Sequence, residues 1–295
     1  MGTEAGPIRA YGRYSRQLKK EMRAHVGGVY CMAANAEQGR VYSGSNDFTI
    51  YEWDVAAHGA LRMLAGHANG VRCLLCIGTH LWSGSDDHTV KVWDVVSCAC
   101  VETLTGHSDS ITSLAVAGAH VWSSSADKTI RVWHVAPTPG GRRGEGQKEE
   151  DGRGTTVTAR GDGSGGDGGA ARRSCVNVIR AHEGGQRVGN LVSMGGALWA
   201  PTGTCISVFD PKSLVCDGAL APRHKAFITQ ICRVSQRETR ILWSYSLADK
   251  SAKIFLKETS GDVDQQQFVD ELKYACQKSP AKRMMIVKRD SGGYS

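Results

Sequence analysis

Nowhere in the 295 residues does an apolar run approach the length needed to cross a bilayer, so no membrane span is expected. Residues 1–20 are polar and basic and lack the apolar core of a secretory signal; this predicts an intracellular protein, with the cytoplasm favoured over the nucleus. Also missing are short motifs that mark common chemistries. There is no Gly-x-Ser-x-Gly elbow and no His-Glu-x-x-His zinc pair. The glycine-rich residues 161–169 follow no strand and open no helix, as a phosphate-cradling loop would. No second Cys-x-x-Cys completes a zinc site with Cys73 and Cys76. These thiols sit inside an apolar run and are expected to pack in a core as small hydrophobes. The expectation is a chain with no metal, no cofactor and no enzymatic activity.

What is present is a repeat. Leu81-Trp-Ser-Gly-Ser-Asp-Asp-His-Thr-Val-Lys-Val-Trp-Asp94 matches Val121-Trp-Ser-Ser-Ser-Ala-Asp-Lys-Thr-Ile-Arg-Val-Trp-His134 at an offset of 40, and Val41–Asp54 precedes them at the same offset. Each unit opens near a histidine: His25, His67 and His107, then the looser His182 and His224. One long gap, between His107 and His182, contains residues 136–174. They are rich in Gly, Arg, Glu and Asp and too poor in apolar side chains to order themselves by burial. Within a unit the apolar residues alternate at period two between Gly, Ser and Asp turns, which is the pattern of short strands. About 40 residues accommodate four strands, one blade of a propeller.

The Gly-His openings and the Ser-x-Ser-x-Asp-x-Thr runs before Trp-Asp resemble the WD40 family. The resemblance implies an all-β, WD40-type β-propeller of about five recognisable four-stranded blades, incomplete or atypically closed. It also implies a hydrogen-bonded quartet inside each blade. The first would use His25, Ser43 or Ser45, Asp47 and Trp53. The second would use His67, Ser83 or Ser85, Asp87 and Trp93, and the third His107, Ser123 or Ser125, Asp127 and Trp133. The fourth keeps His182, but Phe209 stands for Trp and Gly203 or Thr204 for Asp. The fifth keeps His224 and Asp249, with Phe255 for Trp. A His-Ser-Asp set invites a hydrolase reading, but an active site is normally unique and this set recurs.

The domain reading has residues 1–24 as a tail, in which 11–24 are a candidate closing strand. Residues 25–135 are blades one to three, 136–174 a disordered insertion and 175–257 blades four and five. Residues 258–295 are a C-terminal helix (262–278) and a basic tail with an edge strand at 284–287. The resemblance implies a platform for other proteins, with loop residues Asn46, Asp86, Arg187, Lys225 and Phe227 as candidate contacts. Recognition of substrates for a ubiquitin ligase is one form of that role. The net charge of +7 and the basic clusters at 13–23, 142–143, 172–173 and 278–289 support a second, less favoured reading, association with RNA or the ribosome. Arg172-Arg173-Ser174 resembles a basic-directed kinase site.

Overall fold

The computed structural model describes residues 7–12, 14–135, 148–150, 156–158, 173–180, 188–220, 228, 230–236, 239–246, 251–257 and 284–287. They form an all-β structure of 24 strands, with no helix among the described residues. The helix expected at 262–278 lies outside them, as do His182, Arg187, His224, Lys225, Phe227 and Asp249. The chain divides into two compact units, Met1–Ala181 and His182–Ser295.

Unit 1 opens with β1 (Ile8–Tyr11) and β2 (Leu18–Met22), paired in a two-stranded sheet. The segment expected as a closing strand therefore bonds to its own neighbour. Two four-stranded antiparallel sheets follow. The first is β3 (Val29–Asn35), β4 (Arg40–Ser45), β5 (Ile50–Asp54) and β6 (Gly59–Leu64); the second is β7 (Val71–Ile77), β8 (His80–Ser85), β9 (Val90–Asp94) and β10 (Cys100–Leu104). The third contains β11 (Ile111–Ala117), β12 (His120–Ser125) and β13 (Thr129–His134), and takes β16 (Cys175–Arg180) as its fourth strand. This corrects the domain reading, which assigned residues from 175 onward to the fourth blade. The insertion interrupts the third blade between its third and fourth strands: each histidine-led unit of sequence supplies one whole sheet, as His67 leads β7 to β10, and the unit led by His107 runs on past the insertion through β16. Two short strands from the insertion, β14 (Lys148–Glu150) and β15 (Thr156–Thr158), add to the open edge of β16.

The three sheets stack through matching seams. Tyr42, Ile50 and Leu64 of the first sheet pack on Val71, Leu81 and Trp93 of the second. At an offset of 40, Trp82, Val90 and Leu104 pack on Ile111, Val121 and Trp133. Cys73 packs into the second seam and Cys76 into the first, so the two thiols lie on opposite faces of one sheet and cannot grip one ion together. Burial pushes the Cys76 thiol up to about 11 and holds Cys73 well above its ordinary value.

Unit 2 contains β17 (Val192–Met194), β18 (Ala197–Thr202), β19 (Cys205–Phe209) and β20 (Cys216–Leu220) in one antiparallel sheet. A second sheet contains β21 (Gln230–Gln236), β22 (Thr239–Ser246) and β23 (Ser251–Lys257), with β24 (Met284–Val287) as a parallel edge strand. Met194 and Ile206 pack with Ile228 and Ile231 between these sheets.

Candidate functional site

Three quartets of side chains recur in the sheets of unit 1. In the second sheet the Trp93 indole donates to Ser83 Oγ at 2.8 Å, Ser83 Oγ lies 2.7 Å from His67 Nε2, and His67 Nδ1 lies 2.7 Å from Asp87 Oδ2. The first sheet repeats this with Trp53, Ser43, His25 and Asp47 at 2.8, 2.7 and 2.9 Å. The third has Trp133, Ser123, His107 and Asp127 at 2.8, 2.8 and 2.7 Å.

One assignment of hydrogens satisfies each chain. An indole only donates, so the hydroxyl accepts from it and donates to His Nε2, leaving the Nδ1 proton to donate to the carboxylate. The quartet hydroxyls are thus Ser43, Ser83 and Ser123. The serines two residues on do other work: Ser85 Oγ accepts the Asp87 amide and donates to the Asn69 carbonyl, both at 3.1 Å, and Ser125 bonds Asp127 and Asp109 in the same way at 3.1 and 3.0 Å.

Each carboxylate also organises a turn. Asp87 accepts from the Thr89 amide and hydroxyl at 2.9 and 2.7 Å and from the Ala68 amide at 2.9 Å. The residue after each Asp is then held at positive φ although none is glycine: Phe48 at 71°, His88 at 67° and Lys128 at 73°. The glycine of Gly-His has two reasons to be there at Gly106, where φ is +137° and a Cβ would stand 2.6 Å from Arg131 Nη1.

Burial alone would raise the Asp47 carboxyl, but hydrogen bonds from Thr49 and His25 hold it down to about 2. Asp87 and Asp127 oppose burial in the same way and lie lower still, with His67 and His107 respectively as the leading partners. Burial also pushes the His107 imidazole down, against the pull of Asp127. The pair is a carboxylate and a neutral imidazole. This resembles the order Asp-His-Ser of a hydrolase, but Ser43, Ser83 and Ser123 are 0% exposed and each oxygen already receives an indole. No reacting carbonyl can reach them.

The fourth sheet shows what happens without a quartet. The pairing Leu198↔Phe209 corresponds to Leu81↔Trp93, which puts Ala200 at the place of Ser83. Hydroxyl and indole are gone together, so no buried donor is stranded. Thr202 and Ser207 bond each other at 2.7 Å instead. Four residues join Pro201 to Ile206 where five join Gly84 to Val90; the turn closes on Gly203, at φ +71°, with no Asp. In the fifth sheet Ser244 and Ser246 hold the places of Ser83 and Ser85 and are fully buried, opposite a strand that carries Phe255 at the place of Trp93.

At one end of each sheet in unit 1, the loop after the histidine is stitched to the turn before the Asp. Asn46 N donates to Gly28 O, Asp86 N to Gly70 O and Ala126 N to Ser110 O, each at 2.9 Å. The first strand of each sheet carries a β-bulge beside this rim, at Tyr30, Arg72 and Thr112. Tyr30 is 45% exposed, and the Arg72 guanidinium lies 4.3 Å from its ring centroid while Nε donates to Asp86 Oδ2 at 2.7 Å. Neither Tyr30 nor Arg72 stands out in the sequence, where both read as ordinary strand residues; the bulge turns them to the rim.

Two further carboxylates, one buried and one half-buried, stand outside the quartets. Glu52, 1% exposed, accepts Arg62 Nε at 2.5 Å, and Arg62 donates to the carbonyls of Val95 and Val96 of the next sheet at 2.9 and 2.7 Å. At the second seam Glu102 accepts the Arg173 amide and guanidinium at 2.6 and 2.9 Å, and Arg173 Nε donates to Val135 O at 2.9 Å. The second arginine comes from the end of the insertion. It is already occupied, next to an exposed Ser174.

Among the described residues no group of three or more His, Cys, Asp or Glu is arranged to hold a metal ion, and no helix is long and apolar enough to cross a membrane. A comparison with curated proteins gives no match. Among solved structures, the crystal structure of the computationally designed Ika8 protein is similar in fold, with a TM-score of 0.61 and 22% identity over 86% of this chain and 66% of that one. The chain spans just under two thirds of that structure's length. The family described as WD domain, G-beta repeat matches residues 16–54, 59–94 and 98–134. Each matched segment starts with the outer strand of one sheet (β2, β6, β10) and ends with three strands of the next, so neighbouring sheets are covalently interlocked. WD40 repeats are protein-interaction modules in general, and this chain, with three of them over residues 16–134, is a WD40-repeat protein.

Proposed function

We propose that the chain is a non-catalytic scaffold that assembles other proteins on the rim formed by the bulge residues and the stitched loops. The observation that carries this reading is the consumption of every quartet group inside its own sheet. Each hydroxyl, imidazole and carboxylate is paired and buried in triplicate, which makes the polar sets a frame. The rim beside them keeps Tyr30 and Arg72 exposed, with Asn46 and Asp86 half-buried next to them. Tyrosine and arginine are the side chains that concentrate binding energy at interfaces. A rigid rim loses little entropy on binding.

The test is affinity purification of the full chain beside Tyr30→Ala and Asn46→Ala variants, with thermal unfolding to check the fold. Proteins recovered stoichiometrically with the native chain should be lost with the variants. An identical set of proteins, or turnover of a substrate that survives Ser83→Ala, would sink the reading. The RNA alternative predicts that the recovered material is nucleic acid and falls away steeply with added salt.

A further inference from the structure

We infer that His120 and His134, at the end of the third sheet opposite the rim, form a chelating pair for a divalent metal ion such as zinc. The inference is independent of the scaffold reading, and it departs from the expectation of a metal-free chain.

The repeats set this pair apart. In each of the first three sheets the residue that opens the second strand lies opposite the residue that ends the third: Arg40 opposite Asp54, His80 opposite Asp94 and His120 opposite His134. The first is an ion pair, and the second sets an imidazole against a carboxylate that draws it upward. The third has no carboxylate. Each neutral ring offers one nitrogen lone pair instead, and neutral imidazole is the commonest side-chain ligand for metals. The two ring centroids stand 5.2 Å apart, with 42° between the planes. An imidazole nitrogen binds zinc at about 2.0–2.1 Å, which puts the ring centre about 3.2 Å from the ion, so two rings at a tetrahedral angle stand about 5.2 Å apart. Paired antiparallel strands hold that spacing before any ion arrives. The other cross-strand neighbour of His120 is Ala117, where the second repeat puts Ile77 beside His80, so the third sheet leaves more room at the ring. Both histidines are half-buried, which leaves an approach for the ion and for the waters that complete its coordination. With two protein ligands the site is smaller than a closed structural zinc centre and suits reversible occupancy. An ion held there ties the start of β12 to the end of β13, one residue before the Val135 carbonyl that accepts Arg173.

The test titrates the full chain, stripped of metal, with nickel chloride and follows the histidine ring protons by NMR. Nickel is the probe because imidazole binds it well and its unpaired electrons broaden signals from the ligating rings. The His120 and His134 signals should vanish together at the lowest nickel concentration, and excess zinc chloride should restore them. His120→Asn should weaken binding at His134 at least tenfold, and His134→Asn should do the same at His120, because each removes half of the chelate. His80→Asn, at the same place in the second repeat, should change nothing. Combining His120→Arg with His134→Asp copies Arg40 and Asp54 of the first repeat. That double variant should keep the unfolding midpoint close to native and abolish the binding, which separates loss of ligands from loss of fold. Nickel that gathers first on other histidines, or a His134 signal that responds identically after His120→Asn, overturns the chelate. Broadening that excess zinc fails to reverse overturns the assignment to a zinc-like ion.

Discussion

Ser83 decides the second quartet, because it is the only atom that both accepts the indole and donates to the imidazole. Ser83→Ala strands the Trp93 N–H and His67 Nε2 in a buried site. The expected cost is about 1–3 kcal/mol of unfolding free energy. Adding Trp93→Phe removes one of the stranded groups, so the double variant should lose clearly less than the sum of the singles. Strict additivity in urea unfolding would refute the shared hydroxyl. The carboxylates predict a pH signature. A depressed carboxyl means that the unfolded chain binds its proton first. The contribution of Asp47 is complete above the ordinary value near 3.9 and is lost as pH falls toward about 2, a loss of about 2 kcal/mol. The lowered imidazole of His107 acts earlier: its contribution is complete above about 6.5 and declines below it. The urea midpoint of the native protein should therefore fall more steeply between pH 4 and 2 than that of Asp47→Asn; parallel curves would contradict the assignment. These residues were legible in the sequence because their types recur at 40. The choice between Ser83 and Ser85 was not, since residues two apart share a strand face and only the register of β8 on β9 separates them.

At the scale of strands and sheets, the seams hold a polar feature that the apolar pattern hides. Both known arginine clamps tie the outer edge of one sheet to the carbonyl just past the closing Trp of the next, at Val95 and Val135. In the first seam the arginine is carried by β6 itself. In the second, β10 carries only the glutamate, and Arg173 arrives from beyond the insertion. The Arg173 side chain is 4% exposed, so removing one partner leaves a buried charge. Glu102→Gln and Arg173→Gln should each cost about 3 kcal/mol, with a double-mutant cycle showing that the two losses overlap. Independent losses below about 0.5 kcal/mol would place the pair among ordinary surface contacts. Glu52 could have been noticed, since it stands where Val92 and Val132 stand in the other repeats. Arg173 could not, because no spacing rule connects it to a strand 71 residues earlier. The same distance explains why the third blade's outer strand was assigned to the fourth.

Across the whole molecule, the long insertion is anchored by its exit. Val135 and Arg173 meet directly, so the two ends of the intervening segment stand side by side. Replacing residues 136–172 with a short Gly-Ser linker should leave the unfolding free energy within about 1 kcal/mol of native, as loop length contributes only logarithmically. The same replacement combined with Arg173→Gln should lose the clamp energy in full. Destabilisation by the linker alone would mean that the insertion itself supports the sheets.

The quartets also differ in completeness among the sheets: the first three have full sets, the fifth keeps Ser244 beside a strand that carries Phe255 in place of Trp, and the fourth has neither hydroxyl nor indole. Chemistry gives such a loss a direction. An orphaned hydroxyl can rotate to another acceptor, whereas an orphaned indole cannot, so a lineage that discards the ring first passes through a viable intermediate and one that discards the serine first does not. The fifth sheet has the composition of that halfway stage, and the fourth that of its end.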